Sequence, residues 1–87
     1  MEIGFSKKYL REEKKFVKMD VNRAERIFTS LNLFRVNPTH PSLNIEKISN
    51  KVWTVRLDKG NRIFFELVNK DTVLLIDIGK HDKYRKY

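Results

Sequence analysis

Three observations predict a small α+β fold, a twisted and mainly antiparallel β-sheet packed against two N-terminal helices. Apolar residues between positions 7 and 36 recur at three- and four-residue steps, and those between 52 and 68 alternate at two. The bend Asn37-Pro38-Thr39-His40-Pro41 separates the two regimes, because each proline lacks a donor and pushes its predecessor out of helical geometry. The predicted order is β-α-α-β-β-β, in one domain spanning residues 1–87. A chain of this length buries only about 60–65% of its unfolded surface, so one thin core is expected.

Taken in order, Ile3 and Phe5 alternate with small or polar neighbours as an edge strand does. Ser6 is a predicted N-cap, with Phe5 and Leu10 placed to form a hydrophobic staple. The first helix then runs to about Lys18, with Tyr9, Leu10, Phe16 and Val17 inward. Asp20 is a cap for the second helix, whose stripe Val21, Ala24, Ile27, Phe28, Leu31 and Phe34 is wide enough to lie on a sheet. His40, between two prolines, reads as a solvated or locally bonded side chain. A short strand around Ile45 to Ile48 follows.

The next two strands can be registered from their patterns. Trp53, Val55 and Leu57 share one face, as do Ile63, Phe65 and Leu67, and the two apolar faces must coincide. A three-residue loop, Asp58-Lys59-Gly60, with glycine supplying a positive φ, satisfies this. It pairs Val55 with Ile63, Trp53 with Phe65, and Arg56 with Arg62. Like charges so opposed, about 5 Å apart at Cβ, repel unless an anion sits between them. In the last hairpin, a turn at Lys70-Asp71 pairs Phe65 with Ile76, Leu67 with Leu74 and Arg62 with Gly79. The open face of that strand is then Val73, Leu75, Asp77, Gly79 and His81.

Composition narrows the chemistry. The chain has no cysteine, which removes disulfides, thiolate metal sites and thiol nucleophiles, and fits a reducing cytoplasmic setting. No apolar run approaches the roughly 20 residues of a membrane span, and the start does not read as a secretory signal. Nineteen Lys and Arg against eleven Asp and Glu give a net charge of +8, a field that attracts nucleic acid or an acidic protein.

The end of the chain, Gly79-Lys80-His81-Asp82-Lys83-Tyr84, brings a histidine, bases and a tyrosine off the last strand. Gly79 beside Arg62 leaves a hollow, and His81 is expected on the arginine face. Arg56, Arg62 and His81 are the parts needed for attack of a ribose 2′-hydroxyl on its adjacent phosphate without a metal or cofactor. Arginine grips phosphate oxygens and keeps its proton, and histidine changes charge near neutrality. Tyr84 or Tyr87 can stack on a base or bond the phosphate. Glu66 and Glu46 are candidate bases, and Lys47 and Lys51 candidate RNA contacts. The competing reading is a surface network in which Asp77 and Glu66 neutralise the arginines.

The element order together with Trp53-x-x-Arg56, Gly60-x-Arg62-Ile63-x-Phe65, the entry His40-Pro41-Ser42-Leu43 and the ending Ile78-Gly79-Lys80-His81-Asp82-x-Tyr84 resembles the RelE/ParE superfamily of toxins. Similarity to its RelE branch implies a ribonuclease that cuts messenger RNA in the ribosomal A site and is silenced by an acidic antitoxin. On that pattern Arg56 and Arg62 match residues that orient and stabilise the scissile phosphate, His81 the acid/base position, and Tyr84 the tyrosine near the carboxyl end. Thr54 stands where some ribosome-dependent members have a lysine, so the proton acceptor stays open among Glu46, Glu66 and His81. A ParE-like inhibitor of DNA gyrase without nuclease activity, or an inactive basic module that binds only its antitoxin, are the alternatives.

Overall fold

The computed structural model describes all 87 residues. The chain runs β1 (Glu2–Phe5), α1 (Lys7–Met19), α2 (Asn22–Val36), a 3₁₀ turn (Pro41–Leu43), β2 (Glu46–Lys47), β3 (Val52–Arg56), β4 (Asn61–Asn69), β5 (Thr72–Lys80) and a C-terminal 3₁₀ segment (His81–Lys86). The strands form one mixed sheet in the order β1-β5-β4-β3-β2, antiparallel except that β1 runs parallel to β5. This is the expected α+β architecture. No helix is long and apolar enough to cross a membrane.

The Ser6 hydroxyl accepts the Tyr9 N–H at 3.0 Å and starts α1. Tyr9 and Phe16, seven residues apart on one helical face, are the buried pair of α1. Leu10 is half exposed, and the aromatic partner of Phe5 is Tyr9, at 5.8 Å between ring centroids. The expected staple therefore uses the neighbouring position. Asp20 Oδ1 accepts the Asn22 N–H at 3.0 Å. In α2 only Ile27, Leu31 and Phe34 are buried. Val21, Ala24 and Phe28 face solvent, with Phe28 71% exposed, because the apolar stripe is wider than the strip of helix the sheet covers. The His40 ring is locally bonded, its Nδ1 accepting the Ser42 N–H at 3.1 Å.

The helices cover one face of the sheet. Tyr9, Phe16, Ile27, Leu31 and Phe34 pack there against Val55, Ile63, Phe65, Val73, Leu75 and Ile78. The β3–β4 register is as expected, with Trp53 opposite Phe65, Val55 opposite Ile63 and Arg56 opposite Arg62. The turn achieves it differently. Positive φ occurs only at Asn44 and Gly79, so Gly60 contributes none. Instead, Asp58 Oδ1 accepts the N–H groups of Gly60 and Asn61, both at 3.0 Å, and clamps the loop.

The β4–β5 hairpin departs from strict alternation. Arg62 pairs with Gly79 as expected, but Phe65 pairs with Leu75 and Leu67 with Val73 rather than with Ile76 and Leu74. Ile76 is an extra residue in β5 and Val68 one in β4, a pair of bulges that offset each other around the Lys70-Asp71 turn. Each bulge reverses which face the following residues take. Val73 and Leu75, expected on the open face, consequently lie under the helices, while Asp77 and Gly79 remain on the opposite face.

Candidate active face

The sheet face opposite the helices is built by alternation. Glu46 pairs with Thr54 across β2–β3, Thr54 with Phe64 and Arg56 with Arg62 across β3–β4, and Phe64 with Asp77 across β4–β5. All six side chains rise from that face. It is not bare: Thr54, Phe64 and Asp77 are each 0% exposed. The cover is the C-terminal segment, whose Tyr84 and Tyr87 rings pack on Phe64 at 5.8 and 5.3 Å. The His81 N–H donates to the Gly60 carbonyl at 3.1 Å, which fixes the start of the segment beside the β3–β4 turn.

Asp77 anchors the far end. Its carboxylate accepts from the Tyr87 hydroxyl at 2.6 Å, the Lys83 ammonium at 2.9 Å and the Ile78 N–H at 2.8 Å, and Lys8 lies 3.5 Å away. Burial pushes the Asp77 carboxyl up, but the bonds from Tyr87, Lys83 and Ile78 outweigh it and hold the group below the usual carboxylate range. Burial likewise opposes the ionised forms of Glu12 and Asp58. Lys83 and Lys15 pull Glu12 down all the same, and the Gly60 and Asn61 donors do so for Asp58.

These three depressed carboxyls set a sign for the pH dependence. Their stabilisation is complete above the ordinary carboxylate range and is lost as pH falls through their lowered folded-state values. Thermal melts from pH 7 to 3 should therefore show a falling Tm, and Asp77→Asn should flatten that slope while lowering stability at pH 7.

The structure groups most of the sequence-predicted residues. His81 stacks on Tyr84 with ring centroids 4.6 Å apart. The Tyr84 hydroxyl shares a hydrogen bond with Thr54 Oγ1 at 3.1 Å and donates to Glu46 Oε2 at 3.4 Å. Arg56, two residues from Thr54 on the same face, is exposed and forms no ion pair. Arg62 is nearly buried. Its guanidinium donates to the carbonyls of Asp58 and Asn61 at 2.9 and 3.0 Å, meets no carboxylate, and leaves its Nε without a partner. Asp77 and Glu66 thus do not neutralise the arginines.

Other candidates lie apart from this group. Lys47 pairs with Trp53 and sits over its indole, 5.5 Å from the centroid, on the helix side of the sheet. Lys51 is exposed in the β2–β3 turn. Glu66 shares the face but stands opposite Val52, beyond Phe64 as seen from Arg62. Tyr87 is committed to Asp77 and Lys8. The hollow expected at Gly79 is filled: a Cβ there would meet Lys83 Cε at 2.8 Å. Sequence reasoning overlooked Lys83, Lys8 and Glu12. The available signal was Asp77 itself, an acid inside the apolar run Thr72 to Ile78, which requires cationic or hydroxyl partners once buried.

No family model matches the chain, and no curated protein matches its sequence. Solved structures do. A YoeB/ParE toxin from Agrobacterium tumefaciens superimposes with a TM-score of 0.74 at 13% identity, over 93% of this chain and 99% of that one. The chain has the RelE/ParE toxin fold. A metal-bound toxin from Helicobacter pylori shares that fold at 18% identity and a TM-score of 0.76, covering 95% of this chain and 97% of that one. YoeB from Staphylococcus aureus, in a heterotetrameric toxin-antitoxin complex with YefM, shares it at 18% identity and a TM-score of 0.70, covering 93% and 97%. At 13–18% identity, what this chain shares with these structures is the RelE/ParE fold.

Proposed function

We propose that this protein is the toxin of a toxin-antitoxin pair, an endoribonuclease that cuts messenger RNA in the ribosomal A site. The observation that carries the reading is the juxtaposition of the unpaired Arg56, opposite Arg62, with the stacked His81–Tyr84 pair whose hydroxyl reaches Thr54 and Glu46. An acidic antitoxin is the natural partner of a chain with net charge +8.

In this mechanism Arg56 and Arg62 supply the positive field for the scissile phosphate. Arg56 donates to its non-bridging oxygens, where negative charge grows as the 2′-oxygen adds. Glu46 is the carboxylate bonded to this group and takes the 2′-hydroxyl proton. His81 gives a proton to the departing 5′-oxygen, so that the bond from phosphorus to the 2′-oxygen forms as that to the 5′-oxygen breaks. The products are a 2′,3′-cyclic phosphate and a 5′-hydroxyl. Tyr84 orients the imidazole by stacking and the carboxylate by hydrogen bonding.

Purified protein added to translating ribosomes should yield mapped cuts in the messenger. His81→Ala and Arg56→Ala should each lower the cutting rate by about a hundredfold, the scale of a lost acid or oxyanion donor, with unchanged circular dichroism. Growth arrest with intact messenger and stalled replication would instead identify gyrase as the target.

A further inference from the structure

We propose that Lys83 is a positioning residue that fixes the His81–Tyr84 pair for catalysis, an inference resting on the nuclease reading above. The C-terminal segment is six residues of 3₁₀ helix whose N-terminus has no side-chain cap. Runs of this kind have poor hydrogen-bond geometry and do not persist unaided. External ties must therefore determine where the two rings stand.

Beside the bonds that His81 and Tyr84 make themselves, Lys83 is a tie from within the same short run, adjacent to Tyr84 and two residues from His81. Its ammonium donates to Asp77 Oδ1 at 2.9 Å, the Ile78 carbonyl at 3.0 Å and Glu12 Oε1 at 3.3 Å. Three donors thus meet three acceptors, from β5 and from α1. A fully engaged ammonium has no proton left for a phosphate, which separates Lys83 from the exposed lysines of this basic chain. The Ile78 carbonyl is open to it because β1 pairs with β5 only as far as Leu75.

The seat of the side chain is equally specific. Lys83 Cδ, Cε and Nζ pass over Gly79, where a Cβ would stand 3.1, 2.8 and 3.1 Å from them. Gly79 therefore gives the lysine its path to Asp77. With the ammonium seated and the His81 N–H on the Gly60 carbonyl, the segment is held on both sides of its first turn.

Lys83→Met keeps an apolar stem over Gly79 and removes all three hydrogen bonds. In this variant kcat for messenger cleavage should fall at least tenfold with KM changed less than twofold, since Arg56 stands on β3 and is untouched. In the NMR spectrum of the free protein, the mutually shifted ring resonances of His81 and Tyr84 should move toward unstacked values while the Val55 and Ile63 methyls stay in place. Lys83→Gln, which retains a donor for Asp77, should fall between wild type and Lys83→Met, and replaces it if the methionine variant does not fold. Where the wild-type protein cuts, an unchanged kcat in Lys83→Met overturns the proposal, as do unchanged ring resonances. A wild-type protein that cuts no RNA overturns the nuclease reading, and the ring resonances then decide alone whether Lys83 fixes the pair.

Discussion

Phe64→Ala is expected to lower stability by about 3–5 kcal/mol, the usual range for a buried phenylalanine reduced to alanine. The residue is fully buried although its side chain points away from the helices. The Tyr84 and Tyr87 rings and the neighbouring Thr54 close over it, forming a second apolar layer on the reverse of the sheet. Removing the ring would strip the C-terminal segment of its apolar footing and release His81 with it. Two readouts check this: the urea midpoint should fall, and trypsin should cleave at Lys83, Arg85 or Lys86 well before the helices are attacked. A Phe64→Ala protein with wild-type midpoint and an equally protected carboxyl end would show that the segment stays in place without this layer.

Asp77→Ala should cost a comparable amount, about 3–5 kcal/mol, because it removes the buried carboxylate on which Lys83, the Tyr87 hydroxyl and the Ile78 N–H converge. Lys83 would lose one acceptor, and the Tyr87 hydroxyl would lose the carboxylate that draws it inward. Burial and the bond to Asp77 both hold the Tyr87 phenol above its usual range. In Asp77→Ala that phenol should therefore ionise at lower pH, visible in the ultraviolet titration of tyrosinate. Asp77→Asn, which keeps an acceptor oxygen but not the charge, should fall between the two. A double-mutant cycle of Asp77→Ala with Lys83→Met should be strongly non-additive, since the two changes remove the same interaction.

The parts of the fold that follow from period and parity were legible in the sequence. The Arg56–Arg62 register came from matching two apolar faces, and it stands although the turn is closed by Asp58 rather than by a positive φ at Gly60. The helix stripes were located, but their inward limits were not, since Leu10 and Phe28 lie just beyond the width that the sheet covers. Parity failed in β5 because a bulge leaves no signature in alternation: Ile76 closes the unbroken apolar run Val73-Leu74-Leu75-Ile76. Arg56, His81 and Tyr84 stand out as candidates in the sequence because their residue types signal chemistry. Lys83 does not, because one lysine in a basic tail looks like any other until Asp77 is known to be buried beneath it.

The bulge at Ile76 divides β5 into two stretches under separate constraint. Its amino half, through Val73 and Leu75, packs beneath the helices, and its carboxyl half adds the polar anchor Asp77 on the reverse side to the core residue Ile78. A deletion of Ile76 would make Leu75 and Asp77 successive residues, and uninterrupted alternation would then keep Val73 and Leu75 beneath the helices and Asp77 on the reverse side, with Phe64 and Phe65 still opposite their present partners. The strand can thus shorten by one residue at this point with both of its surfaces kept.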